Sequence, residues 1–163
     1  MISSNQAEQT IGELLRRRGW RLAVAESCTG GLIASRITDI PGSSDYFQGG
    51  IVAYSYEAKV SLLGVSWTTL RTYGAVSRET VLAMARGART SLQADVAMSV
   101  SGIAGPGGGL PDKPVGTTWI GLSVEQGEWA RHFLFHKDRL ENKSSSVDEA
   151  FKLLIEFLEG RLG

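Results

Sequence analysis

The sequence is poor in cysteine and in long apolar runs. Cys28 is the one cysteine among 163 residues, so neither an intrachain disulfide nor a cysteine-rich metal site can form. No apolar stretch approaches the roughly 18 residues that a membrane-spanning helix requires. Net charge is absent as well, because 17 Lys and Arg residues balance 17 Asp and Glu residues. No overall field favours a membrane surface or a nucleic acid, and we expect neither as a partner.

The rest of the composition is typical of a globular protein. Hydrophobic residues make up 42% of the chain and charged residues 21%, which suffices for a buried core at this length. Residues 1–10 are polar and lack the apolar segment of a signal peptide. We therefore predict a single domain over residues 1–163 and a cytoplasmic location.

Hydrophobic periodicity predicts alternating strands and helices. Helices are expected over residues 5–18, 32–40, 57–64 and about 140–158, with a further helix that begins at Ser77. Strands are expected over 20–25, 49–56 and 95–101, and a hairpin over 115–125 and 128–135. Repeated strand–helix units combined with one hairpin predict a mixed, mostly parallel sheet covered by helices on both faces, which is an α/β fold.

A glycine-rich loop follows the first buried strand, and Ser27 lies in it. Backbone N–H groups converge where such a loop opens a helix, so the loop suits an oxyanion or a phosphate and Ser27 suits a nucleophile. It differs from the G-x-S-x-G elbow of α/β-hydrolases, since Ala25 occupies the place of the first glycine. The structural alternative is that Ser27 or Thr29 only caps the following helix.

A serine nucleophile needs a base, and the sequence offers two kinds. The histidines, His132 and His136, share one face of the second hairpin strand, which is typical of surface positions. Lys59 lies in the first turn of its predicted helix, where the helix dipole lowers the pKa of an amine. Tyr54 ends the adjoining strand and is placed to bridge the hydroxyl and the amine. The alternative is an exposed Lys59 that pairs locally with Glu57.

A second loop, over residues 101–109, contains five glycines around Pro106. Its backbone can approach an anion closely and offer several N–H donors. The loop matches neither the Walker A motif nor the dinucleotide-binding fingerprint, and a mobile surface loop is an equal alternative. Arg139, which precedes the last helix, is a candidate cation for the same anion.

In their order along the chain, these motifs resemble the CinA C-terminal family, in the form that stands without a nucleotide-processing N-terminal domain. The resemblance rests on Ala25-Glu26-Ser27-Cys28-Thr29-Gly30-Gly31, Pro41-Gly42-Ser43-Ser44, Gly49-Gly50-Ile51-Val52-Ala53-Tyr54-Ser55, Lys59, Leu63-Gly64-Val65, Gly74-Ala75-Val76-Ser77, Ser101-Gly102-Ile103-Ala104-Gly105-Pro106 and Pro114-Val115-Gly116-Thr117. Two positions depart from the family pattern: Ser101 replaces the usual threonine, and Lys143 stands about where a second arginine is common.

The resemblance implies a three-layer α/β/α sandwich and hydrolysis of the amide of nicotinamide mononucleotide (NMN) to nicotinate mononucleotide and ammonia. It implies Ser27 as nucleophile, Tyr54 and Lys59 as its helpers, and neither a metal nor another cofactor. With the loop arguments above, the expected substrate-binding residues are Thr29, Gly30, Gly31, Ser101, Gly102, Gly105, Gly107, Gly108 and Arg139.

Three other functions are compatible with this sequence. The first is a catalytically silent relative that binds a nucleotide or a partner. The second is an amidase of another small amide, and the third is an enzyme that uses Cys28 as nucleophile. Several aromatic residues provide apolar area either for the core or for a contact between copies, and we expect a homo-oligomer, for example a dimer. They are Tyr46, Phe47, Trp67, Trp119 and Trp129.

Overall fold

The structure is a computed structural model, and it describes residues 5–162. Its five strands form one sheet: β1 (Leu22–Glu26), β2 (Phe47–Val52), β3 (Val96–Gly102), β4 (Thr117–Val124) and β5 (Gly127–Leu134). Six helices accompany them: α1 (Gln6–Arg18), α2 (Leu32–Thr38), α3 (Tyr56–Leu63), α4 (Trp67–Tyr73), α5 (Arg78–Ser91) and α6 (Arg139–Leu158). A short 3-10 helix, Ser43–Asp45, precedes β2.

The strand order across the sheet is β2-β1-β3-β4-β5. Strand β1 pairs in parallel with β2 and with β3, whereas β4 pairs antiparallel with β3 and with β5. Four strands therefore run in one direction and β4 alone is reversed, as expected from two crossover connections and one hairpin. The sheet is mixed as predicted. Two of its four strand pairings are parallel, so the sheet is half parallel and not mostly parallel.

Helices cover both faces of this sheet, which confirms the predicted α/β/α sandwich. Because successive side chains of a strand point to opposite faces, Val24 packs with α1, α2 and α6, while Ala23 and Ala25 pack with α3, α4 and α5. Tyr46 belongs to the core of the first layer and is almost completely buried. The homo-oligomer stays a prediction.

Local signals in the sequence fix several helix ends. Gly19 adopts a left-handed conformation (φ 65°) and ends α1. The Ser77 hydroxyl accepts a hydrogen bond from the Thr80 amide and begins α5, as predicted. Strand β2 ends at Val52, earlier than predicted, because the chain turns there towards Ser55, which caps α3. Tyr54 consequently lies in the connection between β2 and α3 and not in the strand.

The long last helix is also close to its prediction. It spans Arg139–Leu158 and buries Val147, Phe151 and Leu154, whereas Ile155 is only partly buried. None of the helices within residues 5–162 is both long and apolar enough to cross a membrane.

Gly87 permits the close packing of α5 on the end of α3. A Cβ atom at this position would lie 1.9 Å from the Leu63 carbonyl oxygen, which is backbone and cannot rotate away. We expect Gly87→Ala to lower the free energy of unfolding by about 2 kcal/mol or more, although alanine normally favours a helix. Chemical denaturation measures this, with Gly107→Ala, whose Cβ would meet nothing within 4 Å, as the control. Equal stability of Gly87→Ala and wild type would contradict the packing described here.

Candidate active site

A pocket of about 200 Å³ lies at the carboxyl ends of β1 and β3. Ligands commonly bind at this edge in α/β proteins, because the loops that leave parallel strands gather there. Exposed Tyr54 and Arg139 stand at its mouth. Its walls are formed by Ser27, Cys28, Tyr54, Lys59, Ala75, Val76, Ser101, Gly102, Ala104 and Arg139.

Ser27 and Lys59 meet inside this pocket although 32 positions separate them in the chain. The Lys59 Nζ atom lies 2.9 Å from Ser27 Oγ, and it also donates to the carbonyls of Ala53 (2.8 Å) and Tyr54 (3.0 Å). Lys59 is only 1% exposed and Ser27 8%. Two carbonyls thus accept hydrogen bonds from the Lys59 amine, and the Ser27 hydroxyl is its third hydrogen-bond partner.

Burial lowers the pKa of Lys59 to about 8. This direction was predicted from the helix dipole, but desolvation of the charged amine is the main cause. None of the ion pairs within residues 5–162 involves Lys59, so the alternative of an exposed lysine paired with Glu57 is wrong.

The neutral form of Lys59 is matched to these three partners. A neutral amine has two N–H donors and one lone pair, while a carbonyl oxygen only accepts hydrogen bonds. The two carbonyls take both N–H donors, and the lone pair is left for the Ser27 hydroxyl, which can donate to it. The arrangement therefore provides a serine hydroxyl hydrogen-bonded to a base.

Tyr54 contributes to the site differently from the predicted bridge. Its carbonyl accepts from Lys59, but its side chain is 62% exposed and its hydroxyl accepts from Arg139 at 3.3 Å. Because Lys59 reaches Ser27 directly, no hydroxyl bridge between them is required. The Tyr54 ring lies at the mouth of the pocket beside Arg139.

The helix-capping alternative for Ser27 and Thr29 is wrong. The buried carboxylate of Glu26 caps α2, since Oε1 accepts from the Ile33 amide (2.9 Å) and Oε2 from the Ala34 amide (3.1 Å). Thr29 donates its hydroxyl to Glu26 Oε1 at 2.6 Å and does not line the pocket. Sequence reasoning missed Glu26, although an acidic residue at the end of a buried strand just before a helix is a signal for such a role.

Gly30 and Gly31 give the loop its shape, because both have positive φ angles, 62° and 105°. The Gly30 amide donates to the Ser27 carbonyl at 3.1 Å and is therefore engaged. Within residues 5–162, the amides of Thr29 and Gly31 donate to no protein acceptor. None of Thr29, Gly30 and Gly31 lines the pocket, however, so their predicted contact with the substrate finds no support in its lining.

The second glycine loop contributes only its first part to the pocket. Ser101 and Gly102 line the pocket, and a Cβ atom at Gly102 would lie 2.7 Å from Thr118 Oγ1 and 3.2 Å from Cys28 Sγ. Gly105 is buried and its carbonyl accepts from Arg139 at 2.6 Å. Gly107 and Gly108 are exposed and lie outside the pocket lining.

The other candidate groups are placed as follows. Burial raises the pKa of the Cys28 thiol to about 11, which leaves little thiolate at neutral pH and disfavours this residue as a nucleophile. His132 and His136 are exposed, as predicted, and the His132 ring packs on Trp119. No cluster of three metal-ligating side chains occurs among the described residues. Apolar Ala75 and Val76 line the pocket without any chemical signature that would have singled them out.

Fold and pocket together define an α/β protein with a buried serine–lysine pair at the carboxyl edge of its parallel strands. The family model described as the CinA C-terminal domain matches residues 4–158. The chain therefore belongs to the CinA C-terminal domain family.

Individual relatives agree with this assignment. A putative competence-damage inducible protein of Halothermothrix orenii is 51% identical over 150 residues, which are 91% of this chain and 36% of the relative. A CinA-like protein of Chloroherpeton thalassium is 50% identical over 155 residues, 93% of this chain and 37% of the relative. The chain thus spans well under half the length of these curated relatives.

Solved structures match over nearly their whole length. A competence-damaged protein (CinA) superfamily protein from Klebsiella pneumoniae has a TM-score of 0.92 at 33% identity, with 96% of this chain and 98% of that chain covered. The competence/damage inducible protein CihA from Agrobacterium tumefaciens has a TM-score of 0.84 at 42% identity, with coverage of 92% and 96%.

Proposed function

We propose that this protein is an NMN deamidase, which hydrolyses the carboxamide of nicotinamide mononucleotide to nicotinate mononucleotide and ammonia. The observation that carries the proposal is the 2.9 Å contact between Ser27 Oγ and the buried Lys59 amine within a pocket. A hydroxyl beside a base of lowered pKa is the arrangement that nucleophilic attack on an amide requires. The resemblance to the CinA C-terminal family supplies the substrate.

In the first half of the reaction, neutral Lys59 takes the proton from Ser27 while Oγ attacks the carboxamide carbon. The negative charge that develops on the carboxamide oxygen is stabilised by N–H groups of the loop that carries Ser27. The C–N bond then breaks, and protonated Lys59 returns its proton to the leaving nitrogen. Ammonia departs and an ester on Ser27 remains.

In the second half, water restores the enzyme. Lys59, neutral again, takes a proton from a water molecule, and the resulting hydroxide attacks the ester carbon. The ester bond to Ser27 breaks and Ser27 regains its proton from Lys59. The product leaves as the carboxylate, nicotinate mononucleotide, and one water molecule has been consumed for each ammonia released.

The dimensions of the pocket fit the reacting end of the nucleotide. A volume of about 200 Å³ is below the roughly 300–1,000 Å³ typical of pockets that enclose a whole drug-sized ligand. The carboxamide and its ring would occupy the pocket, with Ser101 and Gly102 beside them. The ribose phosphate would extend past the mouth towards Arg139, Lys143 and the loop amides of Gly105, Gly107 and Gly108.

Product analysis tests the substrate assignment. Purified protein incubated with NMN in water enriched in ¹⁸O should yield nicotinate mononucleotide carrying one ¹⁸O atom, detected by mass spectrometry, with an equal amount of ammonia. Nicotinamide as product would indicate cleavage of the glycosidic bond and would exclude amide hydrolysis. Unchanged NMN that nevertheless binds, as measured by calorimetry, would favour the silent nucleotide-binding relative.

The pH dependence of NMN turnover follows from the titration of Lys59. Since only neutral Lys59 accepts the serine proton, kcat/KM should rise about tenfold per pH unit below pH 8 and level off above it, given a pKa of about 8. The second ionisation of the substrate phosphate lies near a pKa of about 6 and is separable from this step. A rate that is flat between pH 6 and pH 9 would contradict Lys59 as the base.

A further inference from the structure

Glu26 is a buried carboxylate next to Ser27 that takes no part in the mechanism above. It is the last residue of β1 and is only 1% exposed. A buried charge is costly unless hydrogen bonds compensate it. Here three donors do so, namely the Thr29 hydroxyl and the amides of Ile33 and Ala34.

These three bonds join both sides of the segment that carries the serine. Residues 27–31 connect β1 to α2, and the bonds from Glu26 hold Thr29, in the middle of the segment, and the first turn of α2. The Glu26 backbone is fixed as well, because its carbonyl accepts from the Ala53 amide at 2.9 Å. Hydrogen bonds to a charged acceptor are the stronger kind and specify geometry well.

The short helix depends on this carboxylate. Helix α2 has seven residues, and its N-cap residue, Gly31, has no side chain with which to accept a hydrogen bond. The orphan amides of its first turn are instead satisfied by Glu26, from outside the helix. Removal of this acceptor would free the start of α2 and the preceding loop together.

We propose that Glu26 and Thr29 form a positioning pair that holds the Ser27 hydroxyl on Lys59. This inference rests on the proposed nucleophilic role of Ser27, and it assigns Thr29 an action through Glu26 instead of contact with substrate. A displacement of about 1 Å in a reacting group can reduce a rate by about 100-fold. Loss of the pair should therefore slow attack by Ser27 without weakening the binding of the reagent that it attacks.

The experiment measures the reactivity of Ser27 with a fluorophosphonate, a serine-directed reagent, by intact-protein mass spectrometry. The single adduct should be absent in Ser27→Ala. In Glu26→Gln one oxygen becomes an NH₂ group, which cannot accept from the Ala34 amide. We expect the maximal labelling rate to fall by about 100-fold while the half-saturating reagent concentration stays the same.

Substitutions of Thr29 form the second part of the experiment, and they test the proposal even if Glu26→Gln does not fold. Thr29→Val should label about tenfold more slowly than wild type, and Thr29→Ser, which retains the hydroxyl, should restore the rate. The matched control is Thr38→Val, at the other end of α2, where the hydroxyl bonds only to helix carbonyls. It should label at the wild-type rate, and the melting temperature of each variant monitors folding.

The inference and the proposed function can fail separately. Labelling of wild type and slow labelling of the variants, without any NMN turnover, would refute NMN as substrate and support the positioning pair. The inference is overturned if folded Glu26→Gln or Thr29→Val labels as fast as wild type, or if the loss appears only in the half-saturating concentration. Failure of wild type to label also overturns it, because no activated serine would then exist to be positioned.

Discussion

Lys59→Met is expected to lower NMN turnover by about four orders of magnitude or more, as when the base of other serine hydrolases is removed. Methionine preserves much of the length and volume of lysine but cannot accept a proton from Ser27. The matched control is Lys152→Met, which removes an exposed lysine of α6 that is paired with Glu149. That variant should turn over NMN at the wild-type rate. Appreciable turnover by folded Lys59→Met would refute the assigned base.

The same substitution should change how stability depends on pH. Lys59 has a pKa of about 8 in the folded protein and about 10.4 in an unfolded chain. Between these values the unfolded state binds more protons, so stability rises with pH, and the penalty from charged Lys59 is complete below pH 8. Denaturation of wild type should therefore show a gain of about 3 kcal/mol between pH 7 and pH 10.5, relative to Lys59→Met. Parallel stability curves for the two proteins would contradict a buried amine of lowered pKa.

Ser27→Ala should abolish NMN turnover to a similar extent while the protein stays folded, because it removes one oxygen from a small buried side chain. The neighbouring Cys28→Ala is the matched control for the loop. Its thiol has a pKa raised to about 11 by burial, so its loss should change turnover by no more than a few-fold. Both variants are compared by ammonia release and by melting temperature. The reverse pattern, with Cys28→Ala inactive and Ser27→Ala active, would make the thiol the nucleophile.

The sequence predicted the layers of the fold because periodicity and turn residues are local properties. The α2 and α6 segments, the Ser77 cap and the hairpin all follow from such local signals. Strand ends were less accurate, since Val52 ends β2 where the connection to α3 begins. The parallel character was overestimated because the hairpin adds two antiparallel pairings, β3 with β4 and β4 with β5.

The candidate site was predictable in its residues but not in its contacts. Motifs drew attention to Ser27, Tyr54 and Lys59, and the structure brings Ser27 and Lys59 together. Which carbonyls hold the amine, and that burial lowers its pKa, depend on packing that no short segment encodes. For the same reason, the sequence pointed to Thr29 as a substrate-binding residue and gave Glu26 no role. The Glu26 side chain turns towards α2 only in the folded chain.

Burial of Lys59 connects the stability of the fold with its proposed chemistry. Desolvation makes the amine a base near neutral pH, and it does so at a cost to folding that an apolar residue would avoid. Two carbonyls reduce this cost and orient the lone pair towards Ser27. A site of this kind needs no histidine, which agrees with the exposed positions of His132 and His136.

The role of Ser27 as nucleophile is tested by the rate of ammonia release from NMN by wild type and by Ser27→Ala, each with and without a metal chelator. We expect turnover by wild type that the chelator leaves unchanged, and turnover by Ser27→Ala that falls to background. Ammonia release by folded Ser27→Ala at the wild-type rate would show that Ser27, activated by Lys59, is not the group that attacks the amide.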